Sequence, residues 1–388
     1  MWEFTSPRTI AFGEEALEYL GDIEGERVFI VCGKSVEKLG ILKRVADVLK
    51  QAGLDVEVFN EVEPEPSIAT VVNGSRKMAS FGPDWIVAVG GGSSMDAAKA
   101  MWVLYERPDL AVEMINPFEK LGLRKKAKLI CIPTTSGSGS EATWATVVTD
   151  AQLALKMELA SRELVPDIVI LDPRMPASMS PHLTAQSGLD VLAHAIETYV
   201  SDYRNDFSEA LALRAIQLVF RYLPEVYKNG ESIEARSKMH SAATMAGLAF
   251  GNAQLSISHS MGHSFGAVFK VPHGRSVGLF LPLSIEFSSP VVKHIYADIA
   301  ASIGIQFSNE EEAVEKLVVA IKNMKTLLQE PNTVRDAGID DEEYNSRLDD
   351  LVERAMLSAM TAMCPRRPTA AEYEKLFICA YNGDPVDF

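Results

Sequence analysis

The sequence predicts an α/β domain built on a doubly wound parallel sheet, followed by an all-helical domain. Three observations carry this. Over residues 27–105, short apolar runs alternate with stretches of helical period, the pattern of buried strands joined by crossover helices. After about residue 180 the periodicity is helical, with no convincing strand. The length, 388 residues, exceeds what one hydrophobic core comfortably serves, so two domains are expected.

In order, RVFIVCG (27–33) reads as a buried strand and VEKLGILKRVADVLKQAG (36–53) as a helix closed by glycine. DVEVFN (55–60) alternates like a strand, and IATVVNGSRKMASFG (68–82) has a helical period. WIVAVGGG (85–92) is a strand entering a glycine turn, and SSMDAAKAMWVLY (93–105) is the helix that follows. AKLICIPTT (127–135) and DIVILDP (167–173) supply further strands. Prolines interrupt PRMPASMSPHLT (173–184), where Ser180 or Thr184 is placed to cap the next helix. Domains 1–179 and 180–388 are therefore expected, with a site in the cleft between them. Helical periodicity then covers 183–201, 206–227, 232–250, 291–303, 309–329 and 341–363.

The net charge of −16 argues against nucleic acid or an anionic membrane as partner. Cys32, Cys131, Cys364 and Cys379 lie far apart with no CxxC, which predicts buried free thiols in a reducing, cytoplasmic setting. The start, MWEFTSPRTIAFGEEAL, lacks the basic head and apolar run of a signal peptide. No apolar run approaches the roughly 20 residues of a membrane span.

Two glycine-rich segments leave predicted strands. In VAVGGGSSMDAAKA (87–100), Gly90, Gly91 and Gly92 let backbone approach a phosphate, and the helix start offers free N–H groups. Ser93 or Ser94 is placed to cap the helix or bond a pyrophosphate oxygen. This is not the Rossmann fingerprint, because Met95 holds the third glycine position. CIPTTSGSGSEAT (131–143) crowds Thr134, Thr135, Ser136, Ser138 and Ser140 among glycines, more hydroxyls than a turn requires. Alone, the first is equally a tight strand-to-helix turn and the second a polar surface loop. Together, at the carboxyl ends of strands, they point to a nucleotide or dinucleotide. No GKS or GKT follows either segment, which disfavours a P-loop.

GLDVLAHAIETYV (188–200) stacks Asp190 and His194 on one face of a largely apolar helix. For that pair alone, a mutual hydrogen bond is the simpler reading, since buried polar groups need partners. SHSMGHSFGAVFKVPHG (258–274) repeats the spacing with His259 and His263, then adds His273 in what reads as a stiff loop. Ser260 stands where zincin proteases carry glutamate. One aspartate and up to four histidines are enough for a divalent site with an open position, suited to Fe(II), Zn or Mn.

At these residues the sequence resembles the iron-dependent (group III) alcohol dehydrogenases. GGGSSMDAAKA is similar to the family's GGGSxxDxAK turn, and PTTSGSGSEAT to its PTTxGTGSE segment. GLDVLAHAIETYVS resembles GxDxLxHAIExY, and SHSMGHSFGAVFKVPHG resembles HxxxHxxGxxxxxPHG. EVEPEPS (61–67) and CPRRPT (364–369) fit flanking signatures, so the resemblance spans almost the whole chain. It implies a dehydroquinate synthase-like architecture, with a dinucleotide-binding first domain and a helical catalytic second domain. It implies Asp190, His194, His259 and His273 as metal ligands, with His263 lining the site, and it adds Asp96 to the cofactor-binding residues.

In NAD-preferring relatives an aspartate commonly ends the first strand and holds the adenine ribose; Gly33 stands at that position here. Its absence removes repulsion of a 2′-phosphate, which Lys34 and Ser35 are placed to contact. NADP(H) is therefore favoured over NAD(H). The implied reaction is hydride transfer between a small alcohol and NAD(P)+, with His263 relaying the proton or orienting His259. Phe250, Phe265 and Phe269 are pocket or core residues, and Asp150, Lys156 and Arg162 are unassigned polar candidates. His182, His240 and His294 read as structural or surface residues. The alternatives are a zinc polyol dehydrogenase, a dehydroquinate synthase-like lyase, or a non-catalytic nucleotide- or metal-binding protein. A homodimer follows from the resemblance only.

Overall fold

Residues 3–151 and 155–388 are described by the structure, a computed structural model. The chain divides after Ser178 into two compact units.

In the first unit the apolar runs become the centre of a parallel sheet. Strands β1 (Thr9–Phe12), β2 (Arg27–Cys32), β3 (Asp55–Phe59), β4 (Trp85–Gly90), β5 (Lys128–Pro133), β6 (Ala145–Asp150), β7 (Leu155–Ala160) and β8 (Ile168–Leu171) alternate with α1 (Lys34–Lys38), α2 (Ile41–Gln51), α3 (Ile68–Phe81) and α4 (Gly92–Glu106). The sheet order is β1-β8-β5-β4-β2-β3, with every pairing parallel. All of β4 and β8 is buried, as is all but the first residue of β2 and β5. Alternate residues explain this: Phe29, Ile86 and Leu129 enter one core layer, and Val28, Val87 and Ile130 the other. The order reverses between β2 and β4, and open α/β sheets bind ligands beyond the strand ends at such a point.

Several expectations are corrected. β1 and the antiparallel hairpin β6–β7 escape the periodicity, β1 because four residues are too few for a pattern. The helix expected over 36–53 is two, because Gly40 takes a left-handed φ of 73° between α1 and α2. Neither Ser93 nor Ser94 caps α4; Gly91 holds the N-cap position with no side-chain bond.

The second unit comprises α5 (Pro181–Val200), α6 (Asp206–Lys228), α7 (Ile233–Ala253), α8 (Ile257–Phe269), α9 (His273–Ser302), α10 (Glu310–Leu327), α11 (Asp341–Ser346), α12 (Leu348–Leu357) and α13 (Ala370–Asn382). Ser180 caps α5 through the Leu183 amide, with Pro181 opening the first turn. α5 is buried along almost its whole second half and packs against α6, α7 and α9. The helix expected over 291–303 is the end of α9, which bends at Val292 just past Pro290. The stretch 341–363 is broken into α11, α12 and a short 3-10 turn, and α13 is an addition. Among the described residues, no helix is long and apolar enough to cross a membrane.

Candidate metal centre and cofactor loops

Three helices of the second unit bring their donors to one point. α5 presents Asp190 and His194 from successive turns, α8 presents His259, and α9 opens on His273. His273 is thus the first residue of a helix and not part of a stiff loop, because Pro272 ends the connection and sets the helix entry. One donor atom from each of the four residues lies within 4.8 Å of all the others.

The geometry excludes the simple hydrogen bond between Asp190 and His194. Asp190 Oδ1 is 3.8 Å from the Nε2 atoms of both His194 and His259, beyond hydrogen-bonding range, and 3.2 Å from His273 Nε2. That oxygen is buried and finds no hydrogen bond of good geometry. Glu197, one turn beyond His194, takes His259 Nδ1, and its Oε1 accepts the Ser258 amide at 2.6 Å. With Nδ1–H donated to Glu197, His259 turns the lone pair of Nε2 towards Asp190. A buried carboxylate oxygen ringed by imidazole nitrogens is completed by a cation, so the donor set fits a divalent metal.

The electrostatics agree. Burial alone would raise Asp190, but the imidazoles of His194, His273 and His259 hold it below the ordinary carboxylate range. Burial pushes His194 down to about 3, keeping it in the neutral form that ligates. Burial pushes Glu197 up to about 7, against the amides of Ser258 and His259.

His263 falls outside the four-donor set but beside it, its ring centroid 5.1 Å from that of His273 and 5.8 Å from that of His259. Phe250 stacks on His194 at 4.5 Å. Phe265 instead packs with Phe280 in a separate buried core cluster, and the partly buried Phe269 packs against that cluster through Phe265 and Tyr344. His240 is buried, while His182 and His294 are exposed.

In the first unit the two glycine-rich segments lie side by side. The Thr134 amide donates to Gly90 O at 2.9 Å. A side chain on Gly91 would meet Thr135 Oγ1, and one on Gly92 would meet Ser138 Oγ, each at 3.2 Å. Ser94 is buried beneath Gly90, whereas Ser93 is half-buried and accepts the Glu65 amide. Asp96 accepts from Ser140 Oγ at 2.8 Å. Burial lifts its pKa to about 6, against the nearby Lys99 and that bond. Gly33 caps α1, and a Cβ there would lie 2.8 Å from Val62 O. Lys34 and Ser35 are exposed at the same strand end. Of the other polar candidates, Lys156 pairs with Glu65 and Arg162 with Glu3, and Asp150 ends β6.

Two residues are missing from the sequence reading. Glu197 lies three positions beyond His194, and a glutamate among the apolar residues of that helix was the available signal. Lys99 is fully buried, and its Nζ donates to the carbonyls of Ser140, Thr143 and Ala145 at 2.7–2.8 Å. A lysine at helical spacing looks like an ordinary solvated side chain.

Comparison with known proteins places the chain in a family. The profile of iron-containing alcohol dehydrogenases matches residues 7–173, and that of the family's C-terminal domain matches 184–381. The NADPH-dependent butanol dehydrogenase of Clostridium saccharobutylicum is 40% identical over the full length of both chains. The aldehyde-alcohol dehydrogenase 2 of Entamoeba histolytica is 38% identical over 97% of this chain, which spans 46% of that longer protein. The iron-containing alcohol dehydrogenase of Thermococcus thioreducens superposes with a TM-score of 0.89 at 34% identity, covering 99% of this chain and all of that one. These relatives do not favour the polyol dehydrogenase or lyase readings. With both family profiles and the fold matched, the chain belongs to the iron-containing alcohol dehydrogenase family.

Proposed function

We propose that this metal-dependent alcohol dehydrogenase interconverts small alcohols and their aldehydes using NADP(H), with Fe(II) held by Asp190, His194, His259 and His273. The observation that carries the reading is the convergence of those four donors within 4.8 Å. A divalent cation there supplies a Lewis acid that polarises an alcohol or carbonyl oxygen. His263, beside His273, takes up the hydroxyl proton on a ring nitrogen and passes it towards solvent. Gly90, Gly91 and Gly92, with the start of α4, offer backbone N–H groups to the cofactor diphosphate, while Thr134, Thr135 and Ser138 offer hydroxyls. NADP(H) preference is supported by Gly33, where the position carries no carboxylate and an added Cβ would crowd Val62 O at 2.8 Å, by Lys34 and Ser35, and by the butanol dehydrogenase relative. The reading includes a homodimer, on the family resemblance, and a cytoplasmic location, on four free cysteines.

The test is a panel of short alcohols and aldehydes assayed with NADP(H) and NAD(H), on enzyme stripped with chelator and reloaded with Fe(II) or Zn(II). Activity that returns with metal, is lost in His273→Ala and is higher with NADPH supports the reading. Activity that survives both stripping and His273→Ala overturns the metal assignment, and a clear NADH preference overturns the cofactor assignment.

A further inference from the structure

His273 differs from the other three donors in how it is held. Its side chain is 46% exposed, against 6% or less for Asp190, His194 and His259. Packing therefore restrains it least. It is also the first residue of α9, and the N-cap there is Pro272, which gives the turn no side-chain hydrogen bond. Uncapped first turns fray unless something else fixes them.

That restraint comes from two residues further along the same turn. Arg275 Nε donates to Glu330 Oε2 at 2.6 Å, and Nη2 donates to Oε1 at 3.1 Å. The fork is bidentate and charge-assisted, the arrangement that adds most geometric definition. Glu330 lies beyond the end of α10, and its side chain is 1% exposed. Its own amide is tied to Lys325 O at 2.9 Å. Between His273 and Arg275, Gly274 approaches α5 so closely that a Cβ would stand 2.3 Å from Gln186 O. The turn is thus gripped on one side by α5, which carries Asp190 and His194, and tethered through Arg275 to the segment after α10.

We propose that the Arg275–Glu330 ion pair is a positioning pair for His273. By fixing the uncapped turn of α9, it sets how long a divalent cation is retained by the four donors. Neither residue touches the donors' metal-facing atoms, so the pair acts through the backbone of residues 273–275. The proposal rests on the metal assignment made above.

The test uses the full-length protein stripped of metal and loaded with Co(II), whose visible absorption reports the ligand set. The variants are Arg275→Gln, Glu330→Gln, the double variant, Arg275→Lys, and His273→Ala as a control on the metal assignment. Two quantities are read: the rate of Co(II) release to excess chelator, and the melting midpoint of the metal-free protein. Each neutral single variant is expected to release Co(II) about 10- to 100-fold faster with an altered spectrum, the range seen when groups supporting metal ligands are removed. The double variant is expected to match the faster single variant to within about twofold, as for residues acting as one unit. Arg275→Lys keeps the charge without the fork and should fall between; it also serves if the neutral variants do not fold. Parent-like release and spectrum in the folded variants, even with a lower melting midpoint, overturn the proposal and leave the metal assignment standing. A parent that holds no Co(II), or His273→Ala that holds it as well as the parent does, overturns both.

Discussion

His259 has one ring nitrogen committed to Glu197 and the other turned to the donor cluster. The carboxylate fixes the tautomer and the ring plane, a role that an amide of the same size fills less well. Glu197→Gln is therefore expected to weaken divalent-metal affinity about 10- to 100-fold, measured by competition with a chromophoric chelator. Gly33 makes the opposite point, because here the neighbour decides what the residue is allowed to be. An aspartate at 33 would have to displace Val62 O, 2.8 Å from its Cβ. Gly33→Asp should accordingly destabilise the protein by about 1–3 kcal/mol, as overpacking does, and lose NADPH activity without a matching gain with NADH. Denaturant melts alongside kcat/KM for both cofactors check this; a stable, NADH-efficient variant would contradict it.

Helix placement depends on contacts of backbone with backbone. α9 meets α5 where Gly274 faces Gln186 O, a carbonyl that cannot rotate away as a side chain could. Gly274→Ala should shift the first turn of α9 and reduce Co(II) retention together with thermal stability, both readable on one preparation. In the first unit, α4 is joined to the hydroxyl-rich segment by Lys99, whose three short carbonyl bonds replace its hydration. Lys99→Met leaves those carbonyls without their cation and is expected to lower stability by about 3 kcal/mol or more. It should also raise the KM for NADPH more than it lowers kcat, since the loop it braces is assigned to cofactor binding. Steady-state kinetics separate the two effects. Unchanged KM in a folded variant would remove that segment from the cofactor site.

For the whole molecule, burial of Lys325 has a consequence for pH. Its ammonium is pushed down to about 7 by burial and by Lys322, with Glu330 and Asp336 opposing. An unfolded lysine titrates near 10.4, so between about pH 7 and 10 the unfolded chain holds one proton more. Stability from this group therefore rises with pH across that window and contributes no slope below it. The melting midpoint of the parent should climb relative to Lys325→Met from pH 7 to pH 9; parallel curves would refute the shift. The sequence by itself indicated the alternation of the central strands and helices, the two glycine-rich turns, and a cluster of one aspartate and several histidines, while the four proposed ligands came from the family resemblance. The alternation, turns and cluster are local properties: period, spacing and residue type within a turn or two. The sequence did not determine β1, which is four residues long and paired with the distant β8, nor the β6–β7 hairpin or the helical placement of His273. Nor did it determine that Glu197 grips His259, that Val62 closes the space beside Gly33, or that Glu330 reaches Arg275 across 55 positions. Periodicity reports which face of an element is buried, but packing alone decides which residue lies against that face.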